Sequence, residues 1–145
     1  MAEQTEGSTE IEATPAEVME VLTDFDSYPT WAGIKRIEVK KRDSKGRGSE
    51  VSMEVSQMGF SARYTLAYRY KAKDGGMSWT TKEASGAVKD ITGEYDLEGD
   101  GDATRVVYRM SVEQAVPMPG FVKRQVEKMV VNTALGGLKK RVEGR

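Results

Sequence analysis

The apolar residues of this chain change their period once, after Val116-Pro117-Met118-Pro119-Gly120, and that switch constrains the fold more than any other feature. Upstream the period is two. From Phe60 to Tyr70 the even positions are Phe60, Ala62, Tyr64, Leu66, Tyr68 and Tyr70, and the odd ones are mostly Ser, Arg and Thr. Shorter runs repeat the pattern: Ile37 and Val39; Val51, Met53 and Val55; Met77, Trp79 and Thr81; Ile91, Tyr95 and Leu97; Val106, Tyr108, Met110 and Val112. Such alternation describes strands with one wet face. Downstream, Val122, Val126, Val130, Ala134, Leu138 and Val142 recur every four residues, while Lys123, Arg124, Lys128 and Lys140 lie elsewhere, which predicts a long amphipathic helix. Because a helix turns every ~3.6 residues, a strict four-residue stripe winds around it, as it would against a curved, twisted sheet. Gly136-Gly137 falls inside this helix at a cost of roughly 1 kcal/mol per glycine relative to alanine, so a kink or a close backbone contact is expected there.

Turn formers divide the strands into hairpins at Asp43-Ser44-Lys45-Gly46-Arg47-Gly48, Asp74-Gly75-Gly76 and Gly99-Asp100-Gly101-Asp102. The chain is expected to fray over residues 1–7, with a single domain over 8–145 whose first strand carries Thr9, Ile11 and Ala13. Thr14-Pro15-Ala16-Glu17 has capping-box spacing with proline at the first helical position, predicting a short helix through Leu22. Asp24 to Trp31 mixes turn formers with Phe25, Tyr28 and Trp31, predicting a second brief helical turn pinned by buried rings. The sum is an α+β chain, an antiparallel meander of about seven strands with one long helix to cover its open face.

Composition removes several chemistries. With 145 residues, 22 Lys+Arg against 23 Asp+Glu and a net charge of −1, the chain has no global attraction for nucleic acid, and no nucleic-acid partner is expected. Zero Cys and zero His remove disulfides, thiolate nucleophiles and the commonest metal ligand, so neither a metal nor another cofactor is expected. The acidic stretch Asp96 to Asp102 lacks the spacing of a calcium loop and suits a hairpin turn. No secretory leader and no run of ~20 apolar residues is present, so a cytoplasmic location without stable membrane insertion is expected.

By parity, Met53, Tyr64, Tyr68, Trp79, Tyr95, Tyr108 and Met110 share the inner face, with Met129 on a flank of the helix beside Val126. Such a face either packs as ordinary core or lines a cavity suited to an amphipathic ligand, since buried tyrosine hydroxyls seek partners and methionine adapts to irregular shapes. Gln114 and Gln125 are candidate polar contacts in such a cavity. Arg63, Arg69, Arg105 and Arg109 have outward parity and read as solvated.

Ile11-Glu12-Ala13-Thr14-Pro15-Ala16-Glu17-Val18 and Val21 to Trp31 resemble the opening of the SRPBCC (START/Bet v 1-like) superfamily in its polyketide cyclase/dehydrase branch. The ending, through Ala115-Val116-Pro117-Met118-Pro119-Gly120, Lys123-Arg124 and Leu138 to Glu143, is similar to small actinobacterial members of that branch. The resemblance implies the helix-grip fold with a hydrophobic cavity. It also implies that Trp31 closes one end and that the segment before the terminal helix admits ligand, making Trp31, Met118 and Phe121 entrance candidates, with plain packing the alternative for each.

Three functions follow as expectations. The first is binding or transport of a lipid, isoprenoid, quinone or polyketide-like molecule, by a monomer or homodimer. The second is a polyketide aromatase/cyclase or dehydratase that shapes its substrate and polarises carbonyls, with Tyr64, Tyr68, Tyr108 or Gln125 as orienting groups. The third is a protein-interaction domain.

Overall fold

The computed structural model describes residues 4–57, 60–115, 117 and 119–144. Seven antiparallel strands, β1 (Thr5–Ile11), β2 (Arg36–Arg42), β3 (Gly48–Gln57), β4 (Phe60–Tyr70), β5 (Gly76–Gly86), β6 (Val88–Asp100) and β7 (Ala103–Gln114), form one sheet in the order β1-β7-β6-β5-β4-β3-β2. Among the described residues three α-helices accompany it, α1 (Pro15–Thr23), α2 (Tyr28–Trp31) and α3 (Gly120–Glu143), with short 3-10 turns at Phe25–Ser27 and Ala72–Asp74. The meander from β2 to β7 follows the hairpin turns read in the sequence, and β1 closes the order by pairing with β7.

Local chemistry sets the element ends. Thr14 Oγ1 accepts from the Glu17 backbone N–H at 3.3 Å and Glu17 Oε1 accepts from the Thr14 N–H at 3.1 Å, completing the capping box that starts α1. Asp43 Oδ1 accepts from the Lys45 and Arg47 backbone N–H groups, both at 2.9 Å, and so holds the β2–β3 turn. Strand β1 begins at Thr5, three residues ahead of the expected boundary at Ser8. Its polar sequence conceals a strand held by ladder bonds to β7 and by Gly7, whose missing Cβ leaves room for Val131 of α3.

Helix α3 lies across the concave face and packs most closely against β1. Its buried residues are Glu127, Val131, Ala134, Leu135, Leu138 and Val142. The four-residue stripe therefore holds only over the C-terminal half. Val122, Val126 and Val130 are half-buried, because the N-terminal half spans open space instead of resting on the sheet. The glycine pair does not break the helix. A Cβ on Gly137 would stand 1.9 Å from the Trp31 carbonyl oxygen, so this glycine is where α3 and α2 touch backbone to backbone, whereas a Cβ on Gly136 would meet nothing within 4 Å.

Candidate functional site

The core is continuous from the sheet to the helices and contains a run of rings. Trp31 contacts Tyr28 at 4.8 Å between centroids, Tyr28 contacts Phe25 at 5.1 Å, and Phe25 contacts Tyr68 at 4.9 Å. Beyond Tyr68, Trp79 stands at 5.7 Å, and Tyr95 and Tyr108 follow at 5.6 and 5.8 Å from Trp79. These spacings suit edge and tilted aromatic packing. They make a rigid floor.

Above that floor, between the sheet and the N-terminal half of α3, lies a cavity of about 170 Å³. Its deep wall is Tyr28, Tyr68, Met77, Trp79, Tyr95 and Tyr108, all buried. At the other end Ile34, Val88, Gln114, Lys123 and Val126 are half-buried, which puts the opening between the 32–35 loop, the β5–β6 turn and the first turns of α3. A dry apolar cavity of ~150 Å³ is enough to bind benzene. This space thus suits a body of one or two rings, or a short chain.

The sheet opens beside this mouth. Strand β5 pairs with β6 only from Gly76–Asp96 to Trp79–Gly93. Past that point the Thr81 hydroxyl stands in for the ladder, donating to the Ile91 carbonyl at 2.7 Å and accepting from the Ile91 N–H at 2.6 Å. A bulge in β5, where Thr65 faces Glu83 and Leu66 faces Thr81, shifts the parity so that Ala84, not Glu83, continues the inner face.

Met53, Tyr64, Tyr68, Trp79, Tyr95, Tyr108, Met110 and Val126 all line the cavity, as does Gln114. Trp31 does not. It is buried behind Tyr28, donating its indole N–H to Ser27 Oγ at 3.1 Å, and Tyr28 presents the surface that the sequence reading gave to Trp31. Gln125 and Met129 are exposed on the outer side of α3, since the buried face runs through Glu127 and Val131. Phe121 is 63% exposed at the start of α3, near the mouth but outside the lining, and Met118 lies outside the described residues. The arginines face out: Arg63 pairs with Glu54 at 2.9 Å, and Arg109 reaches Glu6, Glu94 and Asp96 across the convex face.

The polar groups of the cavity are few. Among the described residues, the hydroxyls of Tyr64, Tyr68, Tyr95 and Tyr108 have no hydrogen-bond partner, while Tyr28 donates to the Leu22 carbonyl. Burial raises the pKa of each of these five phenols, so they serve as neutral donors and not as bases. The other polar residues are Gln114, Ser61, Lys123 and Glu127, and of these the sequence reading missed all but Gln114. The signal was there: stepping back four residues from Val131, on the face that carries Leu135, Leu138 and Val142, lands on Glu127. Among the described residues no cluster of three metal-ligating side chains occurs.

A curved antiparallel sheet holding a long terminal helix, with an apolar cavity between them, defines the helix-grip class. A family model described as polyketide cyclase / dehydrase and lipid transport matches residues 2–143, and the chain belongs to that family. Its structural neighbours lie in the START/SRPBCC superfamily. A START superfamily protein from Mycobacterium smegmatis superposes with a TM-score of 0.87 at 22% identity, covering 97% of each chain. An aromatase/cyclase from a Streptomyces species superposes with a TM-score of 0.75 at 18% identity, over 98% of this chain and 96% of that one. A STAR-related lipid transfer protein from Xanthomonas axonopodis gives 0.72 at 18% identity, over 96% and 85%. No curated protein matches the sequence. No helix among the described residues is long and apolar enough to cross a membrane.

Proposed function

We propose that this protein binds and carries a small hydrophobic or amphipathic molecule in the cavity under α3. One observation carries the reading: an apolar chamber walled by tyrosine, tryptophan and methionine, in which four phenolic hydroxyls have no partner of their own among the described residues. A filled core would satisfy those hydroxyls or bury them against packed neighbours. The family's description, which joins cyclase or dehydrase activity to lipid transport, fits a chamber of this kind. Mass spectrometry of the gently purified protein under native conditions, with thermal melts against fatty acids, isoprenoid alcohols, quinones and aromatic polyketide fragments, tests it. A ligand present at about 100 times its Kd would add ~2.7 kcal/mol, or roughly 5–10 °C for a domain of this size. No co-purified molecule and no shift across the panel would overturn the reading.

The same hydroxyls support a second reading, cyclisation or dehydration of a polyketide chain by shaping it and polarising its carbonyls. Their raised pKa values suit donation to a carbonyl oxygen and oppose proton abstraction. Turnover of a poly-β-ketone by the purified protein is the expected result under this reading, and binding without turnover returns the function to carriage.

A further inference from the structure

Glu127 is 2% exposed on a helix face otherwise made of valine, alanine and leucine. Its Oε1 accepts from the Thr5 hydroxyl of β1 at 3.0 Å, which ties α3 to the sheet. Its Oε2 is buried without any hydrogen bond among the described residues. Lys123 Nζ stands 3.5 Å from Oε2, an ion-pair contact that lacks hydrogen-bond geometry. Both side chains line the cavity near its opening. A buried carboxyl oxygen with a free acceptor site is costly, and the group that satisfies it is either water or a donor brought in by a ligand.

We infer that Glu127 is the polar anchor of the cavity and that it selects ligands ending in a hydroxyl, an alcohol or a phenol, on an apolar body of one or two rings or a short chain. The inference rests on the cavity-binding reading above. The ligand O–H donates to Glu127 Oε2, and its oxygen is left facing the Lys123 ammonium, so one hydroxyl uses both members of the pair. A plain hydrocarbon uses neither. A carboxylic acid would bring a second anion against Glu127. The apolar remainder lies toward the aromatic floor, where its contacts are sequence-blind dispersion and area burial.

The experiment is a matched titration with 2-naphthol and naphthalene, which share one body and differ by the hydroxyl. The wild type is expected to bind 2-naphthol at least about tenfold more tightly, as befits a hydrogen bond to a charged group. In Glu127→Leu the ratio of the two affinities is expected to fall to within about twofold. Glu127→Gln keeps the side-chain shape and a neutral acceptor, covers the case in which the leucine variant does not fold, and loses about fivefold of the preference. A preference that stays intact in either folded variant overturns the anchor, as does equal affinity of the wild type for both probes. If the wild type binds neither probe, the cavity-binding reading fails along with the anchor. Binding of both without discrimination leaves the cavity reading standing and removes the anchor alone.

Discussion

Gly136 and Gly137 are adjacent in α3 and carry the same intrinsic helix penalty, yet their surroundings give opposite signs to the same substitution. Gly136→Ala places its methyl in open space and recovers helix propensity, so it is expected to stabilise the protein by about 0.5–1 kcal/mol in urea denaturation. Gly137→Ala drives a methyl against the Trp31 carbonyl oxygen, backbone that has no rotamer to yield, and is expected to cost about 3 kcal/mol net by the same measurement. Lys123 and Glu127 form a comparable pair of unequal members. Truncating Lys123 to methionine keeps the stem but leaves the buried carboxyl without its neighbouring cation, and a loss of about 1–3 kcal/mol in denaturation is expected. Glu127→Leu removes the unsatisfied oxygen together with its bond from Thr5 and its contact with Lys123, and is expected to cost less than the Lys123 substitution in the same measurement.

At the scale of elements, α3 divides into two parts with different jobs. Its C-terminal half seats Ala134, Leu138 and Val142 as core, and its N-terminal half roofs the cavity with Lys123, Val126 and Val130. Strands β5 and β6 divide likewise, paired as far as Trp79 and Gly93 and joined beyond by Thr81 alone among the described contacts. Thr81→Val preserves the shape and removes both hydrogen bonds, stranding the Ile91 N–H. The variant is expected to lose about 1–3 kcal/mol and to lose hydrogen-exchange protection at the Ile91 amide while Gly93 keeps its own. These features mark the limit of what the sequence could reveal. Period and turn chemistry recover the strands, the capping box and the long helix because each is written in neighbouring residues. The inner wall was legible for the same reason, from Met53 to Met110. What escaped depends on contacts distant in the chain. Polar β1 is a strand from Thr5 because β7 supplies its partners, Trp31 yields the wall to Tyr28 because α2 turns it toward Ser27, and Glu127 lies inside because β1 fixes the rotation of α3.

For the molecule as a whole, pH acts through two separate populations. The carboxylates on the convex face are held below their usual range: Glu94 by a hydrogen bond from Lys71 and then by Arg109, and Glu50 by hydrogen bonds from Lys82 and Lys41. Their folded pKa values are depressed, so the stability they add is present above the unfolded value of about 4.3 and is lost as pH falls through the folded value. All six tyrosines are shifted the other way, first by burial, and stay protonated in the folded state at a pH where the unfolded chain ionises at about 10. Raised pKa values make stability full below about pH 10 and make it fall as pH climbs beyond, because only the unfolded chain releases those protons. With no histidine and no cysteine, no side chain titrates at its ordinary value between these limits, so denaturant midpoints are expected to be flat from about pH 6 to 9 and to drop on both sides. The alkaline arm has a direct optical check. Phenolate absorbance at 295 nm and loss of far-ultraviolet circular dichroism are expected to rise together in one cooperative step above pH 10, since five of the six tyrosines are buried in the folded state. A phenolate signal that climbs gradually, ahead of any loss of secondary structure, would mean instead that the cavity admits hydroxide and that its tyrosines face an open channel.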